Sequence, residues 1–219
     1  MVNALSPLVI IFLYLVVLVT IAETLNRFIT DDPELTRKVV HIGSGNVILL
    51  AWWLDIASWV IIAAAAIASV IAIASYLLPI LPSINSIGRK SLGTLFYAIS
   101  IGILTAIFWE NNPQYTAIGI LVMAWGDGMA AIIGQRWGAH QYQVLAVTKS
   151  WEGSLAMAAS TYLVTSSILL FTLGNHWQTW VISAIAALAA TSLEAFSKWG
   201  IDNLTVPLGT AIICYYCQF

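Results

Sequence analysis

Asp127 lies inside an otherwise apolar stretch, Thr116 to Gly134, and opens the series Asp127-Gly-Met-Ala130-Ala-Ile-Ile-Gly134. A second polar cluster, Lys149-Ser-Trp-Glu152-Gly153, follows in the next connection. A carboxylate at the centre of a membrane-length helix costs about 2.5–3.5 kcal/mol on insertion scales, so such residues usually mark a functional site. Together with a Lys and a Glu, Asp127 suggests a site for metal and phosphate. An ammonium is a point charge suited to phosphate oxygens, and Mg²⁺ commonly takes one or two carboxylates together with substrate phosphates.

Asp127, Ala130, Ala131 and Gly134 recur at i, i+3, i+4 and i+7 and so share one helical face. Small residues there let another backbone, or a ligand, come close to the carboxylate. The plainer account is a buried Asp neutralised by a partner helix, with Gly and Ala as packing notches. Lys149 and Glu152 stand at i, i+3 beside Gly153 at the start of an apolar segment. Taken alone they read as a helix-start ion pair, with Glu152 complementing the positive end of the helix dipole; taken with Asp127 they favour a site.

Arg37, Lys38 and His41 form a third cluster on one face, followed by the small residues Gly43, Ser44 and Gly45. Topological anchoring accounts for Arg37 and Lys38, but an imidazole one turn inside an apolar span needs a polar partner. Phosphate contact and proton transfer from a hydroxyl are both open to His41. Glu194, Lys198, Asp202 and Asn203 make a fourth group, in which Glu194 and Lys198 are spaced to pair. Asp202-Asn203 reads as a turn entering the last apolar segment. His140 and His176 have no motif around them and read as loop residues. Cys214 and Cys217 read as two small apolar residues on one stripe rather than as a redox or metal pair. Neither GxxxxGK[ST] nor GxGxxG occurs, so neither common soluble nucleotide cradle is present.

The elements that must carry these residues are apolar helices. Of 219 residues 60% are hydrophobic and 8% charged, with mean hydropathy +0.91, whereas a soluble domain carries about a quarter charged residues. This implies an all-α, polytopic integral membrane protein. Windows long enough to cross a bilayer fall at 5–26, 37–54, 57–78, 92–109, 114–134, 152–173 and 177–197, with a shorter one at 204–217. Seven or eight spans are expected, with a very tight join near Asp55. The first window has no basic residue before it and reads as a retained span rather than a cleaved signal. Pro79 and Pro82 close the third window.

All eight Lys and Arg residues fall in odd-numbered connections: Arg27, Arg37 and Lys38; Arg89 and Lys90; Arg136 and Lys149; and Lys198. By the positive-inside rule these connections face the cytoplasm and the N-terminus lies on the far side. Most of the ten Trp lie near window ends, among them Trp52, Trp53, Trp59, Trp109, Trp137 and Trp199, as in an interfacial belt. Trp125, two residues before Asp127, is the exception, and packing accounts for it better than substrate stacking. The net charge of −2 gives no support to nucleic-acid binding. With no repeat, low-complexity tract or linker, residues 1–219 read as one membrane domain.

Asp127-x-x-Ala130-x-x-x-Gly134 followed by Lys149-Ser-x-Glu152-Gly153 resembles the two-part CTP-binding signature of the dolichol kinase and phytol kinase family. Arg37-Lys38-Val-Val-His41 and Asp202-Asn203-Leu-Thr-Val-Pro207 are similar to phytol-kinase-type members, so the likeness spans residues 37 to 207. Ser150 stands where dolichol kinases tend to have Thr, and the chain is far shorter than eukaryotic dolichol kinases. The first is a small departure; the second points to the compact phytol-kinase branch of plastids and cyanobacteria. The resemblance implies a single transmembrane kinase domain that transfers phosphate from CTP, with UTP as an alternative donor, to a long isoprenoid alcohol. Phytol would yield phytyl phosphate for tocopherol and phylloquinone salvage. On this likeness Asp127 and Glu152 hold Mg²⁺ and Lys149, with Arg37 or Lys38, neutralises phosphate oxygens. His41 or one carboxylate would help deprotonate the alcohol, while Gly134, Gly153 and Asn203 complete the nucleotide site. Rival expectations are a phosphatidate cytidylyltransferase-like enzyme, a phytyl-phosphate kinase, and a small ion-coupled transporter. The transporter would require a related polar break in the opposite half of the chain, which does not occur.

Overall fold

The computed structural model describes residues 5–28, 32–77, 92–144 and 147–218. Each of the eight apolar windows is helical. In chain order they give α1 (Leu5–Phe28), α2 (Pro33–Gly45) with α3 (Val47–Trp53), α4 (Ser58–Leu77) and α5 (Gly93–Phe108). Then come α6 (Pro113–Leu121), a π-helical segment (Val122–Asp127), α7 (Gly128–Trp137), α8 (Trp151–Leu173), α9 (Trp177–Ala195) and α10 (Asp202–Tyr216). Among the described residues four helices are long and apolar enough to cross a membrane: Ser6–Phe28, Ser58–Ser75, Pro113–Trp137 and Trp151–Leu173. Gly93–Phe108 is a shorter apolar helix. Arg89, Lys90, Pro79 and Pro82 lie outside the described residues.

The continuous helix from Pro113 to Trp137 is the centre of the bundle. Its most apolar window is 61% buried, against 11% for α1. Tyr115, Ile118, Val122 and Met123 are fully enclosed, with α3, α5, α8 and α10 packed around them. α1 packs mainly on α2 and leaves Val9, Phe12, Leu13, Val17 and Val19 exposed. An apolar surface of this extent is matched by lipid rather than water.

Two local features position the site. Asp32 caps α2, its side chain accepting from the Glu34 and Leu35 N–H groups ahead of Pro33 in the first turn. The helix then breaks at Gly45–Asn46. Gly45 sits so close to the central helix that a Cβ there would stand 2.3 Å from the Ala124 Cβ. In that central helix the π segment widens the turn over Val122–Asp127, an insertion that often accompanies functional sites. The tight join near Asp55 is real: Asp55 adopts φ 52, a left-handed conformation that Asp tolerates better than most residues.

The connection between α7 and α8 is structured. β1 (Gln141–Val144) and β2 (Val147–Ser150) pair antiparallel, with Tyr142 opposite Lys149 and Gln141 opposite Ser150. Ser150 then caps α8, its hydroxyl accepting from the Gly153 N–H at 3.1 Å. Trp109 departs from the expected belt: it is buried, and its indole donates to the Ile56 carbonyl at 2.8 Å. Trp125 is partly exposed and donates to Asn46 at the α2–α3 break. Cys214, on α10 and within the core, and Cys217, just past its end, are free thiols.

Candidate active site

Asp127 ends the π segment, and its carboxylate is met by Lys38 from α2. The Nζ–Oδ2 distance is 2.5 Å, and the lysine side chain is only 7% exposed. His41, one turn further along α2, brings its Nε2 to 3.8 Å from the same oxygen. That gap is too long for a hydrogen bond, and among the described residues the buried Nε2 has no hydrogen-bond partner. The imidazole is held in place by Tyr97 on α5, whose ring lies 5.1 Å from it centroid to centroid. Tyr97 in turn directs its hydroxyl to the Ile120 carbonyl at 3.3 Å.

Lys149, carried on β2, approaches the same region from the other side, near enough for its charge to act on Asp127. Its ammonium is bonded to Glu194, on the last turn of α9. Asp202, at the start of α10, is within electrostatic range of Asp127, Glu194 and Lys149. Three carboxylates from three helices, Asp127, Glu194 and Asp202, therefore lie within electrostatic range of one another and of Lys149, with Lys38 and His41 at Asp127.

Other expected site residues are placed differently. Glu152 turns to His140: its carboxylate accepts the His140 backbone N–H at 3.2 Å and meets Nδ1 at 2.7 Å. Arg37 bonds to Glu34 along its own helix, while its charge still reaches Asp127 and His41. Gly134 and Gly153 form the crossing of α7 and α8. A Cβ on Gly153 would lie 3.0 Å from the Ala130 carbonyl and 3.3 Å from the Gly134 Cα. The small face after Asp127 thus admits another backbone. Asn203 turns back on the loop, bonding Gly200 and Asp202 as the chain enters α10. Lys198 does not pair with Glu194 but lies 5.2 Å over the Trp199 ring. Four sequence-derived candidates, Lys38, His41, Asp127 and Lys149, are assembled; Glu194, Asp202 and Tyr97 join them. Glu194 was visible only as a local pairing partner, and Tyr97 gave no polar signal.

Comparison with known proteins decides the lineage. The chain is 54% identical over 203 residues to a phytol kinase from Synechocystis sp., covering 92% of this chain and 87% of that protein. The chain belongs to the phytol kinase family. It is accordingly a phosphotransferase of the phytol-kinase type, with an alcohol group as acceptor. Phytol kinase 1, chloroplastic, from Arabidopsis thaliana is 28% identical over 88% of this chain and 69% of its own length. Probable phytol kinase 2, chloroplastic, from Glycine max is also 28% identical, over 90% and 70%. Cyanobacterial and chloroplast relatives fit a plastid-type origin. No protein-family model matches the chain, and no solved structure matches it.

A magnesium ion is the metal this family resemblance implies. Among the described residues no group of three His, Cys, Asp or Glu side chains is arranged to hold a metal ion by itself. The donor set fits an ion that arrives on a nucleotide, since such an ion needs only one or two protein carboxylates. Asp127 is the carboxylate met by Lys38 and reached by the charge of Lys149, and Asp202 is the second in range. Glu152, engaged by His140, is not brought to that cluster.

Proposed function

We propose that the protein phosphorylates phytol, or a closely similar isoprenoid alcohol, with CTP as donor and UTP as an alternative, yielding phytyl phosphate and CDP. The observation that carries this is the Lys38–Asp127–His41 cluster, with Lys149 beside it, set among apolar helices. A water-soluble nucleotide and a lipid-anchored hydroxyl can meet at such a place. Phosphoryl transfer asks for positioning and charge neutralisation more than for covalent chemistry by the protein.

In the proposed step the alcohol oxygen attacks the γ-phosphorus, the bond from that phosphorus to the β–γ bridging oxygen breaks, and CDP leaves. The unpaired Nε2 of His41 takes the hydroxyl proton. Lys149 and Lys38 neutralise the phosphate oxygens. Asp127 and Asp202 are the residues that would hold a magnesium ion brought by the triphosphate, and such an ion would offset charge on the oxygens. Seven or eight membrane crossings, the site on the cytoplasmic side, and supply to tocopherol or phylloquinone salvage belong to the same proposal. The grouping of basic residues in alternate connections supports the sidedness.

The test is purified protein with labelled CTP, ATP or UTP against phytol, geranylgeraniol and dolichol. CDP and phytyl phosphate are the expected products of CTP and phytol. Release of pyrophosphate would point to cytidylyl transfer, and a need for phytyl phosphate as acceptor to the second kinase step. Full activity in correctly inserted Asp127→Ala and Lys149→Ala variants would remove the site assignment.

A further inference from the structure

Glu194 is poorly placed on its own account. Its side chain is 7% exposed and it occupies the last turn of α9, where the helix dipole already places negative charge. The charges of Asp127 and Asp202 are also within range. A buried carboxylate in that position must be matched by a cation, and Lys149 supplies it. Lys149 in turn stands on a short two-stranded hairpin, and its long flexible side chain is tied to the helical bundle by Glu194. An ion pair serving stability alone has no advantage at such a spot, because well-packed apolar residues of similar volume do as well or better.

We propose that Glu194 is the positioning residue for Lys149, holding its ammonium on the Asp127 side of the bundle so that the remaining N–H donors of that ammonium meet phosphate oxygens when nucleotide enters. This rests on Lys149 being the phosphate-binding lysine, as proposed above. The effect of Glu194 passes through the lysine it bonds.

The experiment measures the Kd and KM for CTP, and the KM for phytol, in Glu194→Gln, Glu194→Asp, Lys149→Met and the Glu194→Gln/Lys149→Met double variant. Glu194→Gln is expected to weaken CTP about tenfold, the scale of a lost charged hydrogen bond, with the KM for phytol unchanged. Glu194→Asp keeps the charge and recovers part of the loss. In the Lys149→Met background Glu194→Gln adds nothing further, since both act through one group. A purely structural role would lower yield and melting temperature without moving either CTP constant, and that result overturns the inference. Should Glu194→Gln fail to insert, Glu194→Asp decides: weakened CTP binding supports the inference, wild-type binding overturns it. The parent reading fails differently, through a wild type that does not bind CTP or a Lys149→Met variant that binds it normally.

Discussion

At the scale of single residues, the Lys38–Asp127 pair is where stability and the proposed chemistry meet. Each charge is largely withdrawn from solvent, so removing one leaves the other uncompensated. Lys38→Met is expected to cost about 3 kcal/mol, the lower end of the range for broken buried pairs because the Asp127 side chain keeps some exposure. The Lys38→Met/Asp127→Asn double variant should regain much of that stability, as read by unfolding in detergent, while remaining without kinase activity. His41 allows a complementary test. Its Nε2 faces Asp127 without a hydrogen bond. His41→Gln is expected to lower kcat by about 10²-fold, within the usual range for a general base, and to leave CTP binding nearly unchanged. Equal loss in kcat and CTP affinity would instead make His41 a phosphate contact.

At the scale of elements, the site depends on helices that touch at glycine. Gly45 brings the α2 break onto Ala124 in the π segment, with room for no more than hydrogen. Gly45→Val should cost about 1–3 kcal/mol by overpacking and should lower activity, because α2 carries Lys38 and His41. Gly102 offers the contrast: a Cβ there meets Ala65 at an ordinary 3.6 Å. Gly102→Ala should be neutral or stabilising by up to about 1 kcal/mol, the helix-propensity gain. Melting curves of the two variants side by side check the packing. The hairpin is anchored by a cap as well as by its strand pairing, so Ser150→Ala should cost about 1 kcal/mol.

At the scale of the whole molecule, orientation is the measurable consequence of charge placement. With Cys214 and Cys217 replaced, a single cysteine at Gln143 in the hairpin should react with an impermeant thiol reagent from the cytoplasmic side. One at Asn111, between α5 and α6, should react from the other side. Both reacting from one side would overturn the alternating topology and with it the proposed cytoplasmic site.

Much of this architecture is local and therefore legible. An apolar run long enough for a bilayer leaves its backbone no option but a helix, so the windows from 5–26 to 204–217 all became helices. A charge inside such a run is costly wherever it sits, which singled out Asp127, and an imidazole one turn inside another run singled out His41. Pairing is not local. Glu152 and Lys149 are neighbours on the chain, yet the hairpin register and the α8 cap send one to His140 and the other to Glu194, 45 residues away. The strands themselves are four residues each, too short for a period to stand out. The π turn that aims Asp127, the ring of Tyr97 against His41 and the convergence of Glu194 with Asp202 depend on how helices cross. Composition and spacing determined which groups had to find partners; only the tertiary structure decided which partners, because a buried charge takes whatever counter-charge the packing places within reach.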